Sequence, residues 1–170
     1  MKLRNVPLFF ALTAFLFSGC EGAQVPLADP DQPIDSSLIG TWDIIDLPEG
    51  DDATHMKVIA FNEHEYYVEM WEDGDDADTL RMNVFSTPVD GILFANVRCI
   101  DCEDEDEYFF FRYDLDAGGV MTLQGVHENI YTEVLNNFES TKDLYTFFLD
   151  NVRDTNFYDD EIARFKRRVD

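Results

Sequence analysis

The Cys99–Cys102 motif, Cys-Ile-Asp-Cys, combines residue types and a spacing that suit redox or metal chemistry. Two cysteines separated by two residues form a redox pair at a helix N-terminus or supply half of a zinc site. Here the motif lies between two predicted strands, and the histidines that would complete a zinc site are scattered at His55, His64 and His127. The motif therefore favours a local structural disulfide, with an unbonded pair, a redox pair or a metal site as alternatives.

Two acidic runs carry side chains that suit calcium, which takes about six to eight oxygen ligands. The first run places four aspartates around a glycine in residues 73–78, and the second has five consecutive acids in residues 103–107. The first run does not match an EF-hand loop, because its glycine is in the wrong position. Both runs fall in predicted hairpin turns, where charges stay solvated, so the sequence favours polar turns over a calcium site.

The adjacent His127 and Glu128 are the nearest approach to an acid–base pair. The sequence places no nucleophile in a recognisable setting. It contains no Gly-x-Ser-x-Gly motif, no Walker loop and no His-Glu-x-x-His helix. We therefore predict no catalytic residue, no metal, no cofactor and no enzymatic activity.

The third cysteine, Cys20, follows a segment built like a secretory signal. Lys2 and Arg4 form a basic head, an apolar run covers residues 6–17, and Ser18-Gly19 provides small residues at a cleavage site. The apolar run has 12 residues and would span about 18 Å as a helix, well short of a bilayer core of about 30 Å. Residues 1–19 are therefore predicted to be a signal peptide and not a membrane span.

The stretch Leu16-Phe17-Ser18-Gly19-Cys20 resembles a bacterial lipobox, in which the chain is cut before the cysteine and the thiol carries a diacylglycerol. The resemblance implies that Cys20 is lipidated, with acyl chains such as palmitate, and that these anchor the protein to a membrane of the cell envelope. Glu21 is not the Asp associated with inner-membrane retention in some bacteria, so the periplasmic side of the outer membrane is preferred. The alternative is an ordinary secretory signal with an incidental cysteine.

The charge balance excludes some partners. The chain carries 12 basic and 36 acidic residues, for a net charge of −24. Residues 1–19 hold two basic residues and no acidic ones, so the mature chain carries −26. Such a charge argues against nucleic acid, which requires Lys and Arg to neutralise phosphates, and against adsorption to anionic headgroups. The remaining partners are the membrane, reached through the lipid anchor, and an apolar small molecule or a basic envelope protein.

The organisation of the mature chain follows from composition and periodicity. Residues 20–37 are rich in Pro, Asp and Ser, which predicts a flexible tether that holds the domain off the membrane. The domain covers residues 38–170. Seven segments with strand-like patterns follow at intervals of roughly ten residues, which is typical of an antiparallel up-and-down meander that closes into a barrel or sandwich. They cover residues 38–44, 58–61, 66–71, 80–85, 92–97, 107–115 and 120–123.

The pattern changes after Gly125. Residues 128–136 predict one or two turns of helix, and Ser140 to Asp143 resemble a capping box before a second amphipathic helix of about three turns. Residues 162–168 fit a strand or a short helix, and we prefer a strand because it would help to close the sheet. The predicted fold is therefore mainly β, with one or two C-terminal helices.

Gly40-Thr41-Trp42, at the head of this meander, resembles the Gly-x-Trp opening of lipocalins and lipocalin-like bacterial lipoproteins. In that family the Trp closes the bottom of an up-and-down barrel and is covered by an Arg from the end of the chain, in a cation–π contact. The resemblance covers roughly residues 38–168 and implies a small lipocalin-like barrel in which Arg164 or Arg167 covers Trp42. The second family signature, Thr-Asp-Tyr, is absent, which favours a shorter domain with a filled interior.

The abundant aromatic residues leave two functions open. In the first, a non-catalytic lipoprotein binds an apolar ligand in a cup between its strands; in the second, a filled barrel is an acidic module that docks a basic partner. An internal void above about 300 Å³ favours the first function. The residues predicted to line the cup are Trp42, Tyr67, Trp71, Phe109, Phe111 and Tyr113.

Overall fold

A computed structural model describes residues 22–47, 53–73, 79–102 and 106–169 of the chain. The predicted signal peptide and Cys20 lie outside the described residues. So do residues 74–78 and 103–105, which include most of both acidic runs.

Eight antiparallel strands form a closed barrel in which each strand pairs with the next and the last pairs with the first. This confirms the predicted mainly β fold and its up-and-down order. Residues 162–168 provide the closing strand, as preferred from the sequence. The strands are β1 (Gly40–Ile45), β2 (Thr54–Ala60), β3 (Glu65–Glu72), β4 (Leu80–Val89), β5 (Ile92–Cys99), β6 (Phe109–Leu115), β7 (Val120–Gly125) and β8 (Ala163–Arg167).

Helices occur mainly in the long connection between β7 and β8. They are α1 (Glu128–Glu133) and α2 (Thr141–Asn151), with single 3-10 turns at Leu135–Asn137 and Thr155–Phe157. The predicted cap at Ser140 is present, since its side chain accepts a hydrogen bond from the backbone N–H of Asp143 at 3.4 Å. Both predicted C-terminal helices are therefore confirmed, although the first is short.

Helix α2 covers the outer face of β4, β5 and β6 and creates a second apolar core outside the barrel. Its Phe148 is fully buried and makes edge-to-face contacts with Phe94 and Phe110, with ring centroids 5.2 and 5.1 Å apart. Leu144 and Val152 are buried on the same side of the helix. Both faces of this part of the sheet are therefore apolar, which explains why polar and apolar residues do not alternate clearly along its strands.

The segment before β1 differs from the predicted tether. Ala23 and Leu27 are fully buried, and Ala23 exchanges backbone hydrogen bonds with Tyr108 at 3.0 and 2.9 Å. The backbone N–H of Leu27 donates to Oδ1 of Asn96, a fully buried side chain on the outer face of β5, at 2.9 Å. The prediction of a flexible tether is therefore wrong for the residues from Gly22 onward. A few apolar residues and one buried amide are enough to hold a segment of otherwise polar composition.

The end of the barrel where β1 begins is closed by Trp42, as the lipocalin resemblance implied. Its ring is 1% exposed, its Nε1 donates to the carbonyl of Leu38 at 2.9 Å, and the guanidinium of Arg167 lies 5.0 Å from the ring centroid. Arg167 also donates to the carbonyl of Ser37. The other candidate, Arg164, pairs instead with Asp46 at 2.6 Å.

We expect the Arg167→Met variant to lower the free energy of unfolding by about 1–2 kcal/mol, because it keeps the aliphatic stem but removes the cation–π contact and the hydrogen bond to Ser37. The matched Arg164→Met variant breaks only an exposed ion pair and should cost about 0.5 kcal/mol or less. Urea unfolding followed by tryptophan fluorescence measures both. Equal losses in the two variants would contradict this account of the closed end.

Candidate functional site

The barrel encloses a cavity of about 500 Å³, so the expected filled interior is wrong. Its wall is mostly apolar and is built from the inward-facing residues of the strands. Most of these side chains are valine, leucine, methionine or alanine, and they leave space that larger aromatic rings would fill. Representative wall residues are Ile44, Met56, Val68, Val84, Val97 and Phe165.

The structure places two of the predicted cup residues, Phe111 and Tyr113, in the cavity wall. Trp42 lies at the closed end, packed under Arg167, and is not part of the wall. Phe109 is buried beside Tyr131 of α1, with ring centroids 5.6 Å apart. Ligand binding by any of these residues stays a prediction.

Tyr67 and Trp71 lie on the outer face of β3, so their predicted place in the cup is wrong. The inward residues of this strand are Tyr66, Val68 and Met70, all nearly fully buried. The signal that identifies the solvent side is Glu69, whose carboxylate accepts a hydrogen bond from the Tyr67 hydroxyl at 3.1 Å.

Three hydroxyl groups form a polar patch in the cavity wall. The Ser86 and Tyr113 oxygens lie 2.7 Å apart, and the Tyr66 oxygen accepts a hydrogen bond from the backbone N–H of Asp35 at 2.5 Å. Burial raises the pKa of both tyrosines, and their hydrogen bonds with neighbouring groups oppose that change. The patch is therefore neutral at physiological pH and offers hydrogen bonds without charge.

The opposite end of the cavity, between the end of β7 and the start of β8, is its acidic mouth. This mouth is lined by His127, Glu128, Asp159, Asp160 and Glu161. Burial raises the pKa of the Asp159 carboxyl; His127 opposes this, whereas the charges of Glu128 and Glu161 add to it. No Lys or Arg of the described residues lines the cavity. Sequence reasoning identified His127 and Glu128 as a weak acid–base candidate but missed Asp159.

A separate polar cluster surrounds His55 on the outside of the barrel. The two ring nitrogens of His55 lie 2.7 Å from Asp43 and 3.0 Å from Asp73, and Arg168 pairs with Asp43 at 2.5 Å. The hydrogen bond from Arg168 lowers the pKa of Asp43. This network ties β1 and β2 to the end of the chain. The described residues contain no group of three or more side chains able to hold a metal ion.

The predicted disulfide joins Cys99 and Cys102 at the end of β5, with Cα atoms 5.6 Å apart. Among the residues that the structure describes, no helix has the length and apolar character required to cross a membrane.

No protein-family model matches the chain, and neither a curated protein nor a solved structure matches it. The assignment of the barrel fold therefore rests on the structure alone. Lipidation, envelope location and ligand binding stay predictions from the sequence and from the cavity.

Tyr113 gives this cavity a pH dependence that can be measured. Because its pKa is raised above 10.0 in the folded state, its contribution to the free energy of unfolding is complete below that pH and is lost as the pH rises through the folded-state pKa. We expect the Tyr113→Phe variant to have a free energy of unfolding about 1 kcal/mol lower at pH 7, because it lacks the hydrogen bond with Ser86. Above pH 10 its free energy of unfolding should fall less steeply than that of the parent. Urea unfolding between pH 7 and about 11.5 checks both changes; parallel curves for parent and variant would contradict the assignment.

Proposed function

We propose that the protein is a non-catalytic lipoprotein of the cell envelope that holds a small apolar molecule inside its barrel. The observation that carries this proposal is the cavity of about 500 Å³ with its mainly apolar wall. Ligand sites in proteins typically occupy about 300–1,000 Å³ and combine apolar linings with a few polar groups. The alternative function, an acidic module that docks a basic partner, was predicted with a filled barrel. The cavity therefore favours ligand binding over docking.

The polar groups of the cavity suit binding better than catalysis. Ser86, the serine in the wall, is hydrogen-bonded to Tyr113 and has no histidine within hydrogen-bond reach among the described residues. His127 lies at the acidic mouth, where its Nδ1 accepts from the backbone N–H of Asn129 at 3.2 Å as a helix cap. A serine nucleophile is typically activated by an adjacent base, and the described hydrogen-bond partner of Ser86 is the Tyr113 hydroxyl.

Two features support export and anchoring. Residues 1–19 have the pattern of a signal peptide, and the segment ending at Cys20 resembles a lipobox. The disulfide between Cys99 and Cys102 fits an oxidising compartment such as the periplasm, because cytosolic thiols are kept reduced. Acyl chains on Cys20 would then hold the domain at a membrane without a spanning helix.

Filling the cavity tests ligand binding. Ala95 lies in the wall, so the Ala95→Phe variant should put a ring into the cavity and weaken binding of the neutral fluorophore N-phenyl-1-naphthylamine by about tenfold or more, equivalent to about 1.4 kcal/mol. The matched Trp71→Phe variant changes an aromatic residue on the outer face and should leave the affinity unchanged. Fluorescence titration gives the affinities, and thermal unfolding confirms that both variants fold. A parent protein that does not bind the fluorophore would contradict the proposal.

Removing the lipidated thiol tests anchoring. The Cys20→Ser variant should move from the membrane fraction to the soluble fraction, because the acyl chains have no other attachment point in the proposal. The double variant Cys99→Ser, Cys102→Ser removes the other two cysteines and should remain with the membranes. Fractionation followed by immunoblotting measures both. Retention of Cys20→Ser on membranes would count against lipidation at this residue.

A further inference from the structure

The charged groups that line the cavity are concentrated at the acidic mouth. Four carboxylates, those of Glu128, Asp159, Asp160 and Glu161, line this end beside His127. The rest of the described wall is apolar or carries neutral hydroxyls. A ligand in the barrel therefore meets charge at one end only, and that charge is negative.

Asp159 is held in place at the mouth by its own backbone. Its N–H donates to the carbonyl of Gly125, the last residue of β7, at 3.1 Å, and its carbonyl accepts from the side-chain amide of Gln124. The carboxylate lies over Gly125, because a Cβ added there would come within 3.0 Å of Oδ2. This places the carboxylate at the end of a barrel strand in a position fixed before any ligand arrives.

Asp159 has no Lys or Arg partner among the described residues. The nearby arginines are engaged elsewhere: Arg112 lies 4.2 Å over the ring of Tyr158, Arg164 pairs with Asp46, and Arg153 pairs with Asp90. Burial raises the pKa of Asp159, and His127 and a hydrogen bond from the Glu128 backbone only partly oppose that change. Such a group costs free energy until an opposite charge approaches it.

We infer that the ligand is a cationic amphiphile, whose apolar body occupies the cavity and whose positively charged head lies against Asp159 at the acidic mouth. This inference rests on the proposed ligand-binding function and adds the ligand's charge. An amphiphile with a carboxylate head would bring like charges within a few ångströms of one another, and their repulsion is stronger where the mouth is partly desolvated. The mouth therefore selects for amine or quaternary ammonium heads and against fatty acid anions.

Three amphiphiles with the same twelve-carbon chain provide the test: dodecyltrimethylammonium, dodecanol and dodecanoate. Each displaces N-phenyl-1-naphthylamine, below its micelle concentration, from the chain that starts at residue 20 with Cys20→Ser and keeps every described element. We expect the cation to bind about tenfold or more tightly than the alcohol, and the anion to bind most weakly. The preference for the cation should shrink as salt rises, because the mouth is exposed to solvent.

Two variants with the same change in net charge locate the effect. Asp159→Asn should reduce the ratio of cation to alcohol affinity by several fold while leaving the alcohol affinity unchanged. The matched variant Asp114→Asn changes an exposed residue of β6 that does not line the cavity, and it should keep the parent ratio. The salt series on the parent protein provides a second readout that does not depend on how either variant folds.

The outcomes separate this inference from the proposed function. If none of the amphiphiles binds, ligand binding itself fails. If dodecanol binds and the cation binds no better, or if Asp159→Asn keeps the parent preference, the cavity stands as an apolar ligand site and the inference of a cationic head is overturned.

Discussion

The antiparallel pairing of β1 with β8 is the constraint on which the rest of the molecule depends. Its register sets Trp42 opposite Arg167 and Ile44 opposite Phe165, so the same pairing closes the sheet, covers the tryptophan and completes the cavity wall. Without it the sheet would have two unpaired edges and the interior would lie open to water. The guanidinium over Trp42 is thus a consequence of ring closure as much as a contributor to it.

The apolar layer outside the barrel has a comparable effect on the mouth. The connection from β7 to β8 leaves the sheet at Val126, passes through α1, packs α2 against the outer face, and returns to pair Tyr158 with Val126. Asp159 is the next residue, and it reaches the mouth because Phe148 and Tyr158 are buried in that layer. Packing on the outer face of the sheet therefore determines which charge a ligand would meet at the acidic mouth of the cavity.

Much of the fold follows from local signals, whereas the site does not. Alternation and turn residues are enough to predict the meander, and a capping box with helical spacing predicts α2. Periodicity leaves residues 162–168 as strand or helix, and the preference for a strand comes from the need to close the sheet. The Gly-x-Trp resemblance anticipates the contact between Trp42 and Arg167. Alternation alone does not say which face is inside, so Tyr67 and Trp71 were placed in the cavity although Glu69 marks their side as solvent-facing. The buried Ala23 and the mouth carboxylate Asp159 depend on partners far along the chain, Tyr108 and Gly125, and no local pattern identifies them.

The pairing of Ala23 with Tyr108, just before β6, brings the start of the described chain to the end of the barrel where the cavity opens. Cys20 precedes Gly22 by two residues, which reach at most about 7 Å even when fully extended. If Cys20 carries the proposed acyl chains, the opening would therefore face the lipid surface at close range and would not be suspended in the periplasm. A ligand would then pass between the bilayer and the barrel with almost no exposure to bulk water, and the opening would contact the lipids directly beneath it.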